Sequence, residues 1–179
     1  EFRDSSLNVI VVSDLKESVE CEVEIKLLGF KSKVPIKKWS QKSQINPFKS
    51  LMVKSLPREE LNVNKKNTYI QLILKNNGNI ISSKNIFFLP YKELNISKPN
   101  LTYQLHVDSS LNKLYVNVKT NYFAKGVYIS SSSKLNFSEN YFDLDANQEK
   151  MVSIDFLSTE NLDSLINSIK LTSTWSSFH

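Results

Sequence analysis

The sequence predicts an all-β chain made of two tandem β-sandwiches, and three observations carry that prediction. Apolar residues recur at every second position in many short runs, among them residues 20–28 and 114–119, which is the period of a strand with one covered face. Turn-forming residues interrupt these runs about every ~8–12 residues, the spacing expected of sandwiches. Only residues 59–61 and 159–166 have helical character, so folds that need crossover helices are disfavoured. A single large barrel fits less well, because a polar segment with flanking prolines, residues 91–99, divides the chain near its middle.

Taken in order, Leu7-Asn8-Val9-Ile10-Val11-Val12 is the first strand, ended by Ser13-Asp14. Residues 20–28 alternate cleanly up to Gly29, and Val34, Ile36 and Trp39 continue a weaker strand with Pro35 at its end. Residues 50–56 form a fourth strand closed by Pro57, followed by a helical turn at 58–61. The strongest local signal of this half is Thr68 to Lys75, then Asn76-Asn77-Gly78-Asn79, then Ile80 to Leu89. Asn and Gly tolerate the positive φ of tight turns, so this reads as a hairpin. Pro90 breaks it, and residues 91–99 read as an inter-domain connector.

The second half repeats the pattern. Residues 101–107 and 114–119 alternate around a turn at 108–112, and strands are expected at 127–130, 141–144 and 151–156. Residues 159–166 supply a short helix capped by Thr159 or Asn161, and residues 169–175 the last strand. Each half thus holds roughly six or seven strands. The domains are expected to span residues 1–92 and 93–179.

Composition narrows the function classes. The hydrophobic share of 40% and aromatic share of 11% are enough for packed cores. With 3 glycines and 5 prolines, collagenous and Pro-rich classes are excluded, and so is a Gly-rich phosphate cradle. The net charge of +5 comes with interspersed acids; the densest basic stretch holds Lys31, Lys33, Lys37, Lys38 and Lys42. Such a run suits a nucleic-acid patch or a solvated strand edge. Without a recognition helix or stacking platform the edge reading is preferred, and no nucleic-acid partner is expected. No apolar run reaches the ~18–20 residues of a bilayer span, so no membrane partner is expected. Glu1-Phe2-Arg3-Asp4 is charged and no signal-peptide core follows it. The chain reads as a fragment of a longer polypeptide that starts at the edge of a strand. The single cysteine, Cys21, shares the parity of Val23, Ile25 and Leu27 and reads as a small core hydrophobe. Three Asn-x-Ser/Thr sequons, at Asn95, Asn100 and Asn136, are within chance for a chain so rich in Asn and Ser.

The candidates for chemistry are few. Glycoside hydrolysis needs two carboxylates about ~5–9.5 Å apart, and the chain offers Glu59-Glu60, Asp143 with Asp145, and Glu139. Neighbours on a strand point to opposite faces, which disfavours Glu59-Glu60 as a pair. Asp143 and Asp145 can share a face, yet both lie at a turn, where Asp is common for backbone reasons. His106 and His179 are far apart, and Ser130 to Ser133 lack a nucleophile context. No catalytic residue, cofactor site or metal site is expected. Sugar stacking by exposed rings is the sharper possibility, through Trp39, Tyr122, Phe123, Tyr128, Tyr141, Phe142 or Trp175. Aromatics at strand period more often belong to a core.

Three motifs in order support a family resemblance: Phe123-Ala124-Lys125-Gly126-Val127-Tyr128, then Glu139-Asn140-Tyr141-Phe142-Asp143-Leu144, then Met151-Val152-Ser153-Ile154-Asp155-Phe156. Together they resemble the C-terminal immunoglobulin-like domain of family 2 glycoside hydrolases of the β-mannosidase type. In the first half, Leu7-Asn8-Val9-Ile10-Val11-Val12-Ser13-Asp14 is similar to the opening of the sandwich domain that follows the barrel in those enzymes. Residues 83–94, from Ser83-Lys84-Asn85-Ile86-Phe87-Phe88 to Leu94, resemble its exit. The match covers nearly the whole chain, and its specificity lies in order and spacing. One departure is Asp145-Ala146-Asn147-Gln148-Glu149, where the family carries a Leu-Pro-Gly-Glu-like turn; Asn147 can take the left-handed conformation in place of Gly.

The resemblance implies two tandem immunoglobulin-like sandwiches lying downstream of a catalytic barrel. It implies a parent that hydrolyses terminal non-reducing β-D-mannose residues with retention, using two glutamates on that barrel. Nothing in this chain matches those glutamate motifs, so no catalytic residue carries over. The implied partners are the barrel of the same polypeptide and mannose-containing glycans. The alternatives are a stand-alone carbohydrate-binding module and an immunoglobulin-like adhesion module.

Overall fold

The computed structural model describes residues 2–3, 6–132, 135–156 and 162–177. Two compact units divide it: residues 1–29 with 34–94, and residues 30–33 with 95–179. The turn signals and strand periods resolve into seven strands in each unit among the described residues.

In the first unit, β1 (Phe2–Arg3), β2 (Ser6–Val12) and β5 (Ser50–Pro57) form one antiparallel sheet in the order β1-β2-β5. The second sheet is β4-β3-β6-β7, from β3 (Val19–Gly29), β4 (Lys37–Ile45), β6 (Thr68–Asn76) and β7 (Asn79–Phe87). The core between them follows from the period of two. Leu7, Val9 and Val11 of β2 meet Cys21, Val23, Ile25 and Leu27 of β3, with Ile45, Leu56, Leu61 and Ile70. Cys21 is buried there as its parity predicts, and burial pushes its thiol pKa up. It is expected to resist an aromatic disulfide reagent in the native chain and to react fully once the chain is denatured; rapid native labelling would contradict its place in the core.

The hairpin signal is met in detail. Asn77 and Gly78 both have positive φ (48° and 80°), the pattern of a two-residue turn whose twist suits the flanking strands. Asn76 pairs with Asn79, and a bulge follows between Leu74 and Lys75. Residues 58–61 form a 3₁₀ turn, and so do residues 91–93 within the connector.

The third strand is a correction. The alternation at Val34, Ile36 and Trp39 places it too early: Val34 and Ile36 are exposed outside it, and β4 runs from Lys37 to Ile45. This strand lies at a sheet edge with mostly exposed polar side chains, so no apolar alternation marks it. Its extent is set by pairing with β3, from Val19↔Ile45 to Leu27↔Lys37. Lys37, Lys38 and Lys42 therefore stand on an edge strand, where lysine discourages pairing with another chain.

In the second unit, β8 (Leu101–Asp108), β9 (Lys113–Thr120), β11 (Asn136–Phe137) and β13 (Glu149–Asp155) form the sheet β11-β13-β9-β8. Against it lies β12-β10-β14, from β10 (Ala124–Ser130), β12 (Phe142–Leu144) and β14 (Lys170–Thr172). Leu114, Val116, Val118, Val152 and Ile154 of the first sheet bury against Ala124, Val127, Ile129, Phe142 and Leu144 of the second. The helix α1 (Leu162–Ser168) closes one side with Leu165, joined by Ile169. It ends later than the sequence suggests, and residues 159–161, with the expected caps Thr159 and Asn161, lie outside the described residues. The last strand is shorter than expected: Thr174–Ser177 turn into a 3₁₀ segment. Asn147 has φ 56°, so the turn that departs from the family pattern is made by Asn in the left-handed conformation.

Candidate functional site

Of the carboxylates singled out from the sequence, those of Glu60, Asp143 and Glu139 each have a local partner. Glu60 lies in the 3₁₀ turn; its Oε2 accepts from Trp39 Nε1 at 3.0 Å and its carbonyl from Lys37 Nζ at 2.8 Å. Glu59 shares that turn, and its carbonyl accepts from the Asn62 N–H. Asp143 Oδ1 accepts from the Gly126 N–H at 2.9 Å, and its Oδ2 lies 3.6 Å from Lys125 Nζ. Asp145 is buried, with its carbonyl receiving the Gln148 N–H. Glu139 pairs with Lys150 at 2.6 Å. The Asp143 carboxylate thus holds a strand pair together: Gly126 has φ 55° and sits in a bulge between Ala124 and Val127, where β10 shifts register against β12. Sequence reading missed that role, since a single Gly within a strand pattern is the only signal of it.

His106 stacks on Tyr115, and His179 lies outside the described residues. Ser131 Oγ is 2.6 Å from Ser168 Oγ, and Ser133 lies outside the described residues. Among the described residues no three His, Cys, Asp or Glu side chains gather as a metal set. No helix among them is long and apolar enough to cross a membrane.

The candidate rings separate sharply by exposure. Phe123 is fully buried, its ring 5.4 Å from that of Phe30 and its N–H donating to the Phe30 carbonyl. Phe142 is buried, with Lys150 Nζ 4.8 Å above the ring. Trp39 is half-buried against the first core. Tyr122 and Trp175 are half-buried with Lys31 and Lys98 over their respective rings. Tyr141 differs, being 70% exposed.

Tyr141 also departs from the expected strand. It precedes β12 rather than opening it, with φ 60°, a region that bulky residues rarely enter. Val127 pairs with Phe142, so Tyr128 and Ile129 next face Tyr141 and Asn140. At that point the Asn140 side chain replaces the peptide ladder. Its Oδ1 accepts from the Ile129 N–H at 2.9 Å and its Nδ2 donates to the Ile129 carbonyl at 2.9 Å. The freed backbone turns, and the Tyr141 ring lies on Tyr128 at 4.5 Å and 20°. Desolvation, then the neighbouring Tyr128, raises the Tyr141 phenol pKa, so it stays a neutral donor at ordinary pH.

Residues 5–93 match the family model of the mannosidase Ig/CBM-like domain, and residues 96–177 match that of an Ig-fold domain of the mannosidase type. The chain belongs to the mannosidase immunoglobulin-like domains. Among solved structures it resembles a β-D-mannosidase from Dictyoglomus thermophilum, with a TM-score of 0.77 and 18% identity. The likeness covers 97% of this chain and 21% of that one, so the chain spans about a fifth of that protein's length. It also resembles the exo-β-D-glucosaminidase CsxA, with a TM-score of 0.58 and 10% identity over 93% of this chain and 24% of that one. No curated protein matches the chain. The mannosidase-type tandem of two immunoglobulin-like sandwiches is thereby the fold of this chain, as its motifs imply.

Proposed function

We propose that this chain is the non-catalytic accessory part of a β-mannosidase-like glycoside hydrolase, whose barrel in the same polypeptide hydrolyses terminal non-reducing β-D-mannose residues. The observation that carries the reading is the order of the two family matches, a mannosidase Ig/CBM-like domain followed at once by an Ig-fold domain. We place the domain boundary between residues 92 and 93. The local engagement of Glu60, Asp143 and Glu139 supports the view that none of them works as an acid, base or nucleophile. Retaining hydrolysis needs two carboxyl groups facing each other across a sugar at about ~5–5.5 Å, and these groups serve turns and strand pairs instead.

The purified chain is expected to show no turnover of 4-nitrophenyl β-D-mannopyranoside, while the polypeptide extended toward its N-terminus through a barrel turns it over. Activity in this chain alone sinks the proposal. So does a preceding segment that encodes a further sandwich instead of a barrel with paired glutamates, an outcome that favours the adhesion-module alternative.

A further inference from the structure

We propose that the Tyr128–Tyr141 pair, with the hydroxyl-lined depression beside it, is a stacking subsite for one ring of a neutral hexopyranose polysaccharide. Tyr128 stands on the outer face of β10, since Val127 and Ile129 on either side of it point into the core. Ser130 is two residues further along the same face, about ~6.6 Å away. Their partners on β14 are Thr172 opposite Tyr128 and Lys170 opposite Ser130. At that end lies a depression of about 400 Å³ lined by Ser130, Ser131, Ser132, Asn167, Ser168 and Lys170. The open aromatic ring is therefore followed, where the end of β10 meets the C-terminal end of α1 and the start of β14, by a row of hydroxyl, amide and amine groups.

This combination fits a pyranose. A sugar ring has a C–H face that is attracted to the electron-rich face of an aromatic, and a rim of hydroxyls that need donors and acceptors. Tyr128 covers one face of Tyr141, which leaves the other for a ligand. A single open ring is too small to hold a protein partner, which typically needs about 800 Å² per side. The depression has no carboxylate in its lining and one cation, Lys170, so neither a cationic nor a strongly anionic ligand is favoured.

Preorganisation supports the assignment. A tyrosine at φ 60° is strained, and such strain persists only where the surroundings hold it. Here the two Asn140–Ile129 hydrogen bonds and the stack on Tyr128 hold the ring in place. A ring already fixed loses little entropy when a sugar docks on it.

The subsite rests on the accessory-domain reading only for the choice of mannan as first probe. The test is electrophoresis of the chain through native gels containing galactomannan, gels containing hydroxyethylcellulose, and gels with no polysaccharide. Retardation of the wild-type chain by at least one polysaccharide is expected. Tyr141→Gly, which takes the same φ without strain, should weaken it roughly tenfold, the effect of losing one aromatic face. Tyr141→Phe keeps the ring and should stay retarded, as should Tyr122→Ala at a distant ring. Retardation by hydroxyethylcellulose alone supports the subsite while counting against a mannan-directed parent. The subsite is overturned if the wild-type chain migrates freely in both gels, if Tyr141→Gly is retarded like the wild type, or if a folded Tyr141→Phe migrates freely.

Discussion

Gly126→Ala is expected to destabilise the second domain by about 2–3 kcal/mol, lowering its melting temperature by roughly 10–20 °C. Two costs add. A left-handed φ of 55° costs an L-residue about 1–2 kcal/mol, and the new Cβ runs into Thr174 Oγ1. The position cannot relax freely, because the Gly126 N–H is tied to Asp143 and the bulge sets the register of β10 on β12. Thr174→Ala in the same chain removes the hydroxyl the new methyl meets, and should recover about 1 kcal/mol while leaving the backbone cost. Urea unfolding of the two single variants and the double variant measures both parts as a cycle. A Gly126→Ala chain as stable as the wild type contradicts the left-handed assignment; equal losses in single and double variants contradict the Thr174 contact.

That glycine also marks where sequence reading ends. The strands with one covered face were legible because their period of two is a direct consequence of burial, as in β3 with Cys21, Val23, Ile25 and Leu27. The β6–β7 turn was legible because only a few residue types accept positive φ, and Asn77-Gly78 are among them. The edge strand β4 was not, since pairing with β3 rather than a pattern of its own determines its ends. The strands β1 and β11 are two residues each and too short to have a period.

The candidate site was half legible. Tyr128 and Tyr141 stand out as aromatics, but alternation puts Tyr141 inside a strand. Its exposure depends on the Asn140 amide taking over two backbone bonds from Ile129, eleven residues earlier. No local propensity encodes that exchange. The Gly126–Asp143 bond is of the same kind, linking motifs that the sequence shows only as neighbours in order.

Glu24→Gln is expected to cost about 1–2 kcal/mol at pH 7 and almost nothing in strong acid. Glu24 is 7% exposed on the face of β3 opposite the core residues, amid three lysines from three strands. Lys75 Nζ lies 2.5 Å from its Oε1, while Lys38 and Lys26 each lie 3.5 Å from a carboxylate oxygen. The lysine side chains are 23–50% exposed, so water screens them and the cost stays below that of breaking a fully buried pair. The hydrogen bond from Lys75, ahead of the charges of Lys38 and Lys26, holds the Glu24 pKa below the ordinary 4.5. A carboxylate with a lowered folded pKa stabilises the native state above its unfolded value, and that stability fades as pH falls through the folded one. The wild-type advantage over Glu24→Gln should therefore be constant from pH 8 to about pH 5 and shrink below about 4.5. Lys75 acts at the other end: its bond to Glu24 raises its pKa above 10.5, so the same pair loses strength as pH rises through that higher value. Asp108, through Ser110, and Glu149, through Lys119, are lowered as well, so an acid limb remains in the variant. Paired urea titrations at pH 7 and pH 3 measure the difference. An equal stability gap at both values means that the charge of Glu24 contributes nothing and that only its shape matters.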